Sequence, residues 1–284
     1  MCVFLFCTGR IPICLGRHPF VAWVALVVVS GFGIGKAATC QPPDVDQNAR
    51  SDPHPWIQSA PPAILRLIDK GRVRLSVDDD RLRAANKQAL TYFRFDVDYR
   101  YRFDIREILA VSGDPSRRRG TVVARLRLQE VGLEHTVVLP SRFQPSQPWE
   151  APLIQHEFDH VSISTDPRFL KIAKEVFLQP IRFPAEWSKA QGPDKDIIDQ
   201  RIKEEVSARI TELERIVQSN YDALDRISKD GQANLPDRSR FFLSLFSGQQ
   251  LEEVAFKYLD SIRIPAQDTA KREVLDHYLS LENP

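Results

Sequence analysis

The chain of 284 residues has few thiols, and its four cysteines, Cys2, Cys7, Cys14 and Cys40, all fall within the first 40 residues. The remainder therefore has neither a disulfide framework nor a cysteine-based zinc finger. An excess of charge is also missing. Lys and Arg number 39 against 38 Asp and Glu, and the longest basic run is Arg117 to Arg119, so no nucleic-acid partner is expected. There is no internal repeat, no Gly-rich phosphate loop and no second hydrophobic run long enough to span a bilayer. What is present, 43% hydrophobic and 27% charged residues, suffices for one or two globular domains and excludes a disordered, collagenous or coiled-coil chain.

The one long apolar run extends from Phe20 to Val29, preceded by Arg10, Arg17 and His18 and followed by Lys36-Ala37-Ala38-Thr39-Cys40. A basic start, a short apolar stretch and small residues form an export signal rather than a spanning helix. Residues 1–37 are expected to be a signal peptide or anchor, cleaved after Ala37 or Ala38 if removed. Ala38-Thr39-Cys40 is also an imperfect lipobox that would leave a lipid on Cys40. The functional part is then exported: periplasmic, extracellular or membrane-anchored facing outward, with possible attachment through the N-terminus. Residues 38–62, rich in Pro, Asp, Gln and Ser, are expected to form a linker in which His54 is solvated.

Beyond the linker, Ile64 to Ile68 and then Val73, Leu75 and Val77 precede Asp78-Asp79-Asp80, a triplet that lacks the Gly and bidentate Glu of a calcium loop and fits a turn or helix start. Phe93, Phe95, Val97, Tyr99, Tyr101, Phe103 and Ile105 alternate with Arg94, Asp96, Asp98, Arg100, Arg102 and Asp104, which predicts a long strand with one aromatic and one charged face. Gly113-Asp114-Pro115 and Arg117 to Gly120 are expected to turn the chain into a strand over 122–129. A loop at Gly132 then leads to a third strand, His135 to Leu139, with His135 partly exposed. Helical patterns follow from Trp149 and from Asp166 to Phe177, and Pro180, Pro184, Gly192 and Pro193 mark a loop. Ile198, Ile202, Val206, Ile210, Leu213, Val217, Tyr221 and Leu224 predict one amphipathic helix over 196–229, capped by Asp194 or Asp196. Two more helices are expected around Phe241 to Ile262 and Ala266 to Leu281, with His277 solvated. The expected fold class is α+β, an antiparallel sheet followed by a shorter helix and a long C-terminal helical region, with one domain over 63–231 and a helical extension over 232–284.

Residues His156-Glu157-Phe158-Asp159-His160 match H-E-x-x-H within a helical segment. Positions i and i+4 share one helix face, so both imidazoles can reach one ion; two neutral ring nitrogens suit Zn2+, and Glu157 stands beside the first ligand as a general base for an attacking water. Asp159 is unusual, because the residues between Glu and His in this motif are usually uncharged.

The order of a sheet region ending at Leu139-Pro140, then Pro148-Trp149, then Leu153 to His160 resembles a family of uncharacterised bacterial proteins predicted to be secreted zinc-dependent proteases. In that family the H-E-x-x-H helix is followed by a segment of the form Tyr-Asp-x-x-Thr-x-His-Gly. Leu224-Asp225-Arg226-Ile227-Ser228-Lys229-Asp230-Gly231 looks like its counterpart, with Leu224, Ser228 and Asp230 standing where the family has Tyr, Thr and His. An alternative register through Tyr221-Asp222 misplaces the glycine. The resemblance covers about residues 92–231 and implies a sheet, a zinc-bearing helix and peptide hydrolysis.

A site of this kind needs a third protein ligand. No cysteine follows Cys40 and no histidine lies between His160 and His277, which leaves a carboxylate. Asp225 is the first choice, four residues after Tyr221 at the edge of the apolar stripe; Asp230, Glu212, Glu214 and Glu175 remain open. Tyr221 is the candidate oxyanion donor. The leading expectation is an exported zinc metallopeptidase with a peptide or protein substrate, using Glu157 as base. Its rival is a non-catalytic envelope protein or lipoprotein that keeps a degenerate metal site and binds a partner.

Overall fold

The computed structural model describes residues 59–144, 146–233 and 235–263. The export signal, most of the linker with His54, and the pattern Ala266 to Leu281 with His277 lie outside the described residues. The chain runs α1 (Pro62–Lys70), β1 (Val73–Val77), α2 (Asp79–Ala85), β2 (Leu90–Val111), β3 (Asp114–Leu139), α3 (Pro152–Ser164), α4 (Pro167–Leu178), β4 (Ile181–Ser188), α5 (Lys195–Ser228), α6 (Arg238–Ser244) and α7 (Gly248–Glu253). The class is α+β as expected. Among the described residues, no helix is long and apolar enough to cross a membrane.

Among the described residues the sheet has four strands, and two of them lie where the sequence predicts none. β2 and β3 form a long antiparallel ribbon, and β1 and β4 both join the other edge of β3, at opposite ends. β1 pairs in parallel from Val73↔His135 to Val77↔Leu139, so the sheet is mixed rather than purely antiparallel. β4 occupies the expected loop after Pro180, antiparallel from Arg117↔Ser188 to Ala124↔Ile181. Its Pro184 is tolerated because an edge strand has one side free of ladder hydrogen bonds.

The expected break at Gly132 is not a loop. Inward residues of β3 are Val122, Ala124, Leu126 and Leu128, then Val131, Leu133 and His135, a change of phase that coincides with the register shift at Asp98/Tyr99. An extra residue there, a β-bulge, keeps both halves of β3 facing the same core. Arg117 to Gly120 likewise belong to β3, and the turn contracts to Ser112-Gly113, where Gly113 takes φ +81. Glycine suits that position because a side chain is strained in the left-handed region.

The inner face of the ribbon packs on α3, α4 and α5: Phe95 lies 5.7 Å from Phe169 and Phe93 lies 5.8 Å from Tyr221, ring centre to ring centre. α5 agrees with its expected span, buries the predicted stripe from Ile198 to Leu224, and is capped by Asp194, which accepts from the amides of Asp196 and Ile197. Asp78 caps α2 by accepting from the Arg81 amide, in keeping with the triplet as a helix start. The expected helix over 241–262 is broken into α6, α7 and a 3-10 turn, with left-handed residues at Phe246 and Ala255. The breaks let Phe242, Leu245, Phe246, Leu251 and Phe256 all reach the core, which one straight helix face would not do.

Candidate metal centre

α3 carries the H-E-x-x-H motif, and it is a buried helix: Ile154 and every residue from His156 to Ser164 are buried. Its hydroxyls turn back on the helix, with Ser162 donating to the Phe158 carbonyl at 2.9 Å and Thr165 to Val161 at 2.8 Å, so polar residues survive inside the core. The end of α5 crosses the same region. Together they bring His156, His160 and Asp225 into one cluster able to hold a metal ion.

The cluster is tight. Asp225 Oδ1 lies 3.1 Å from His156 Nε2 and 3.0 Å from His160 Nε2, and the two nitrogens are 3.2 Å apart. A tetrahedral ion with bonds of ~2.0–2.1 Å holds neighbouring donors ~3.3 Å apart, close to this triangle. The protonation of His156 strengthens the match. Ser228 Oγ donates its one proton to the Leu224 carbonyl at 2.8 Å, so at His156 Nδ1, 3.2 Å away, it accepts. Nδ1 therefore carries the proton in the neutral ring, and the Nε2 lone pair faces the cluster. That lone pair, the His160 nitrogen and a carboxylate at this range call for positive charge between them. In keeping with this, burial disfavours the charged form of His156, yet Asp225 and Glu157 outweigh it and raise its pKa. Burial also opposes ionisation of Asp225, but the two histidines and Lys87 around it hold it far below the ordinary carboxylate range.

Several supporting groups had no signal in the sequence. Lys87, from the link between α2 and β2, donates to Asp225 Oδ2 at 3.0 Å and also pairs with Asp230, leaving Oδ1 toward the histidines. Thr91 Oγ1 donates to Glu157 Oε2 at 2.6 Å. Burial pushes Glu157 above its ordinary pKa, against the pull of His160 and His156. Gly231 has φ +77, and a Cβ there would stand 3.0 Å from the His156 side chain, so the glycine meets both a backbone and a packing demand. Asp159 is buried and paired through both oxygens with Arg238 at the start of α6, which accounts for a charged residue inside the motif. His160 Nδ1 is buried and makes no hydrogen bond.

The remaining ligand candidates lie elsewhere. Asp230 is half exposed and held by Lys87. Glu212 is held by Arg215 and the Lys257 amide. Glu214 is half-buried on α5, where burial pushes its carboxyl up to about 7. Neither Glu214 nor Glu175 belongs to the cluster.

Tyr221 lies against His160, ring centres 4.4 Å apart, and its hydroxyl is engaged elsewhere, with Ser164. His135, expected to be partly exposed, is buried, because β1 and α1 cover the end of β3 on which it sits. Its Nδ1 lies 2.6 Å from the Gly71 carbonyl, which only accepts, so Nδ1 carries the proton and Nε2 accepts from Ser164 Oγ at 2.5 Å. Ser164 in turn accepts from Tyr221 Oη at 3.1 Å. The phenol's single proton is thus committed to Ser164.

Burial lowers the His135 pKa to about 4. A histidine near 6.5 in the unfolded chain binds a proton that the folded chain refuses, so stability falls as pH drops from about 6.5 to about 4 and levels off below, by about 3 kcal/mol in all. Urea unfolding at a series of pH values is expected to show this slope in the wild type and to lose it in His135→Gln. An equal slope in both would refute the assignment. Compared with known protein families, curated proteins and solved structures, the chain matches none.

Proposed function

We propose that the chain is an exported zinc-dependent metallohydrolase acting on peptide bonds, akin to the secreted bacterial proteases its motif order resembles. The observation that carries the reading is the convergence of His156, His160 and Asp225 beside Glu157. Two imidazoles and one carboxylate at these separations suit zinc, and a three-residue set leaves a coordination position open, as catalytic sites do. When bound, zinc supplies a Lewis acid that polarises a carbonyl and acidifies water.

The side chains then have distinct tasks. Glu157 takes a proton from the attacking water and delivers it to the leaving amine, and Thr91 holds Oε2 so that Oε1 is the oxygen in play. Its raised pKa makes it a stronger base than an exposed glutamate. Ser228 sets the tautomer of His156, and Lys87 turns one oxygen of Asp225 to the histidines. Tyr221 acts as a positioning residue against the His160 ring, since its proton is already used.

Purified protein is expected to carry about one zinc per chain, and chelation is expected to abolish peptide hydrolysis until zinc is restored. Asp225→Ala is expected to bind zinc at least about 10-fold more weakly, measured by competition with a chromophoric chelator. Zinc held tightly with no hydrolysis of any peptide would favour the non-catalytic rival, and a chain that binds no zinc would refute the metallohydrolase.

A further inference from the structure

The sheet face turned away from α3, α4 and α5 carries an unusual charge arrangement. Across the ribbon, Arg100 stands opposite Arg127 and Arg102 opposite Arg125. Like charges directly opposite each other cost stability; the same ribbon pairs opposite charges at Arg94 and Glu134, and where it sets Asp98 opposite Glu130 the latter is paired with Arg72. Asp104 accepts from Arg125 at 3.1 Å; among the described residues, no acid pairs with Arg100, Arg102 or Arg127. Such a local conflict in a folded chain marks a surface kept for a partner.

Farther along the ribbon the register shifts between Arg106 and Leu109, and Glu107 takes φ +55. The bulge leaves Ile108 and Leu109 each 54% exposed, flanked by Arg106 and by Arg119, the cross-strand partner of Leu109. Arginines beside exposed aliphatic side chains fit a phospholipid surface, where guanidinium groups meet phosphates and aliphatic tips enter the headgroup layer. A nucleic acid would instead be served by aromatic rings for stacking, and Phe93, Tyr99, Tyr101 and Phe103 of this strand pack on the opposite, helix-bearing side.

We propose that the outer face of the β2–β3 ribbon, through Arg100, Arg102, Arg125 and Arg127 together with Leu109, docks on an anionic phospholipid membrane. The metal cluster lies on the helix side of the sheet, so docking leaves it uncovered. This docking is independent of whether the cluster is catalytic.

The test is sedimentation of the full chain with phosphatidylcholine vesicles, with and without about one-third phosphatidylglycerol. The wild type is expected to prefer the anionic vesicles and to lose that preference as salt rises. Replacing all four arginines by serine is expected to weaken anionic binding by at least about 100-fold, at about fivefold per arginine near the surface. Binding to neutral vesicles, which reads out the apolar N-terminal run, stays unchanged. The diagonal pair Arg102→Gln and Arg127→Gln provides a milder variant, expected to lose about 25-fold. Leu109→Ser is expected to weaken binding without removing the anionic preference. Equal wild-type binding to both compositions, or a preference that survives the arginine replacements, overturns the proposal. So does arginine-dependent binding to a single-stranded oligonucleotide without binding to vesicles.

Discussion

Glu157→Gln is expected to keep its zinc and to lower peptide hydrolysis by about 10²–10⁴-fold, the range that a positioned general base contributes. The substitution is nearly isosteric, and the amide oxygen of glutamine can still accept the 2.6 Å hydrogen bond from Thr91. His156, His160 and Asp225 are untouched, so metal content stays at the wild-type level. The variant removes only the ability to take a proton. Elemental analysis together with kcat/KM on a fluorogenic peptide reads both quantities from one preparation. Hydrolysis at the wild-type rate would remove Glu157 from the mechanism, and loss of metal would make it a structural part of the cluster.

Asp166→Ala is expected to destabilise the fold by about 3–5 kcal/mol, the cost of leaving a buried charge without its partner. Asp166 is fully buried and does two things at once. It caps α4 by accepting from the Arg168 amide at 2.7 Å, and it accepts from the Arg168 guanidinium at 3.1 and 2.7 Å. The guanidinium also donates to the carbonyls of Phe242 and Leu243, so it ties the end of α6 to the start of α4. Deleting the carboxylate removes the cap and strands a buried cation. Arg168→Met, which deletes the cation, leaves the cap intact; combining the two replacements is expected to cost less than the sum of the singles, because they share one network. Urea unfolding measures all three, and additive losses would show that the pair is not coupled.

Elements with an uninterrupted period were legible in advance. The aromatic alternation of β2 and the stripe of α5 extend over many residues, and burial follows them closely. In the sequence β3 has the pattern of two strands, because the bulge near Gln129 shifts the phase of its alternation. β1 and β4 leave no such long pattern, for another reason. Each is short and gains its identity from pairing with β3, with a proline inside β4 arguing against a strand. His135 looked like an exposed strand residue because nothing local announces that Ser164 and the Gly71 carbonyl will meet its two nitrogens.

At the candidate site, the sequence by itself determined the pair His156 and His160 and the place of Glu157, since helical spacing is a local property. Exclusion of other residue types narrowed the third donor to a carboxylate. Only tertiary structure decided that Asp225, 65 residues beyond His160, completes the cluster while Asp230 is drawn off to Lys87. It also decided that the Tyr221 proton goes to Ser164, and that Asp159 is paid for by Arg238. The physical reason is the range of the interactions. Periodicity and composition record what one segment can do alone, whereas ligand choice, tautomer and buried pairing depend on which distant segment the folded core presses against it.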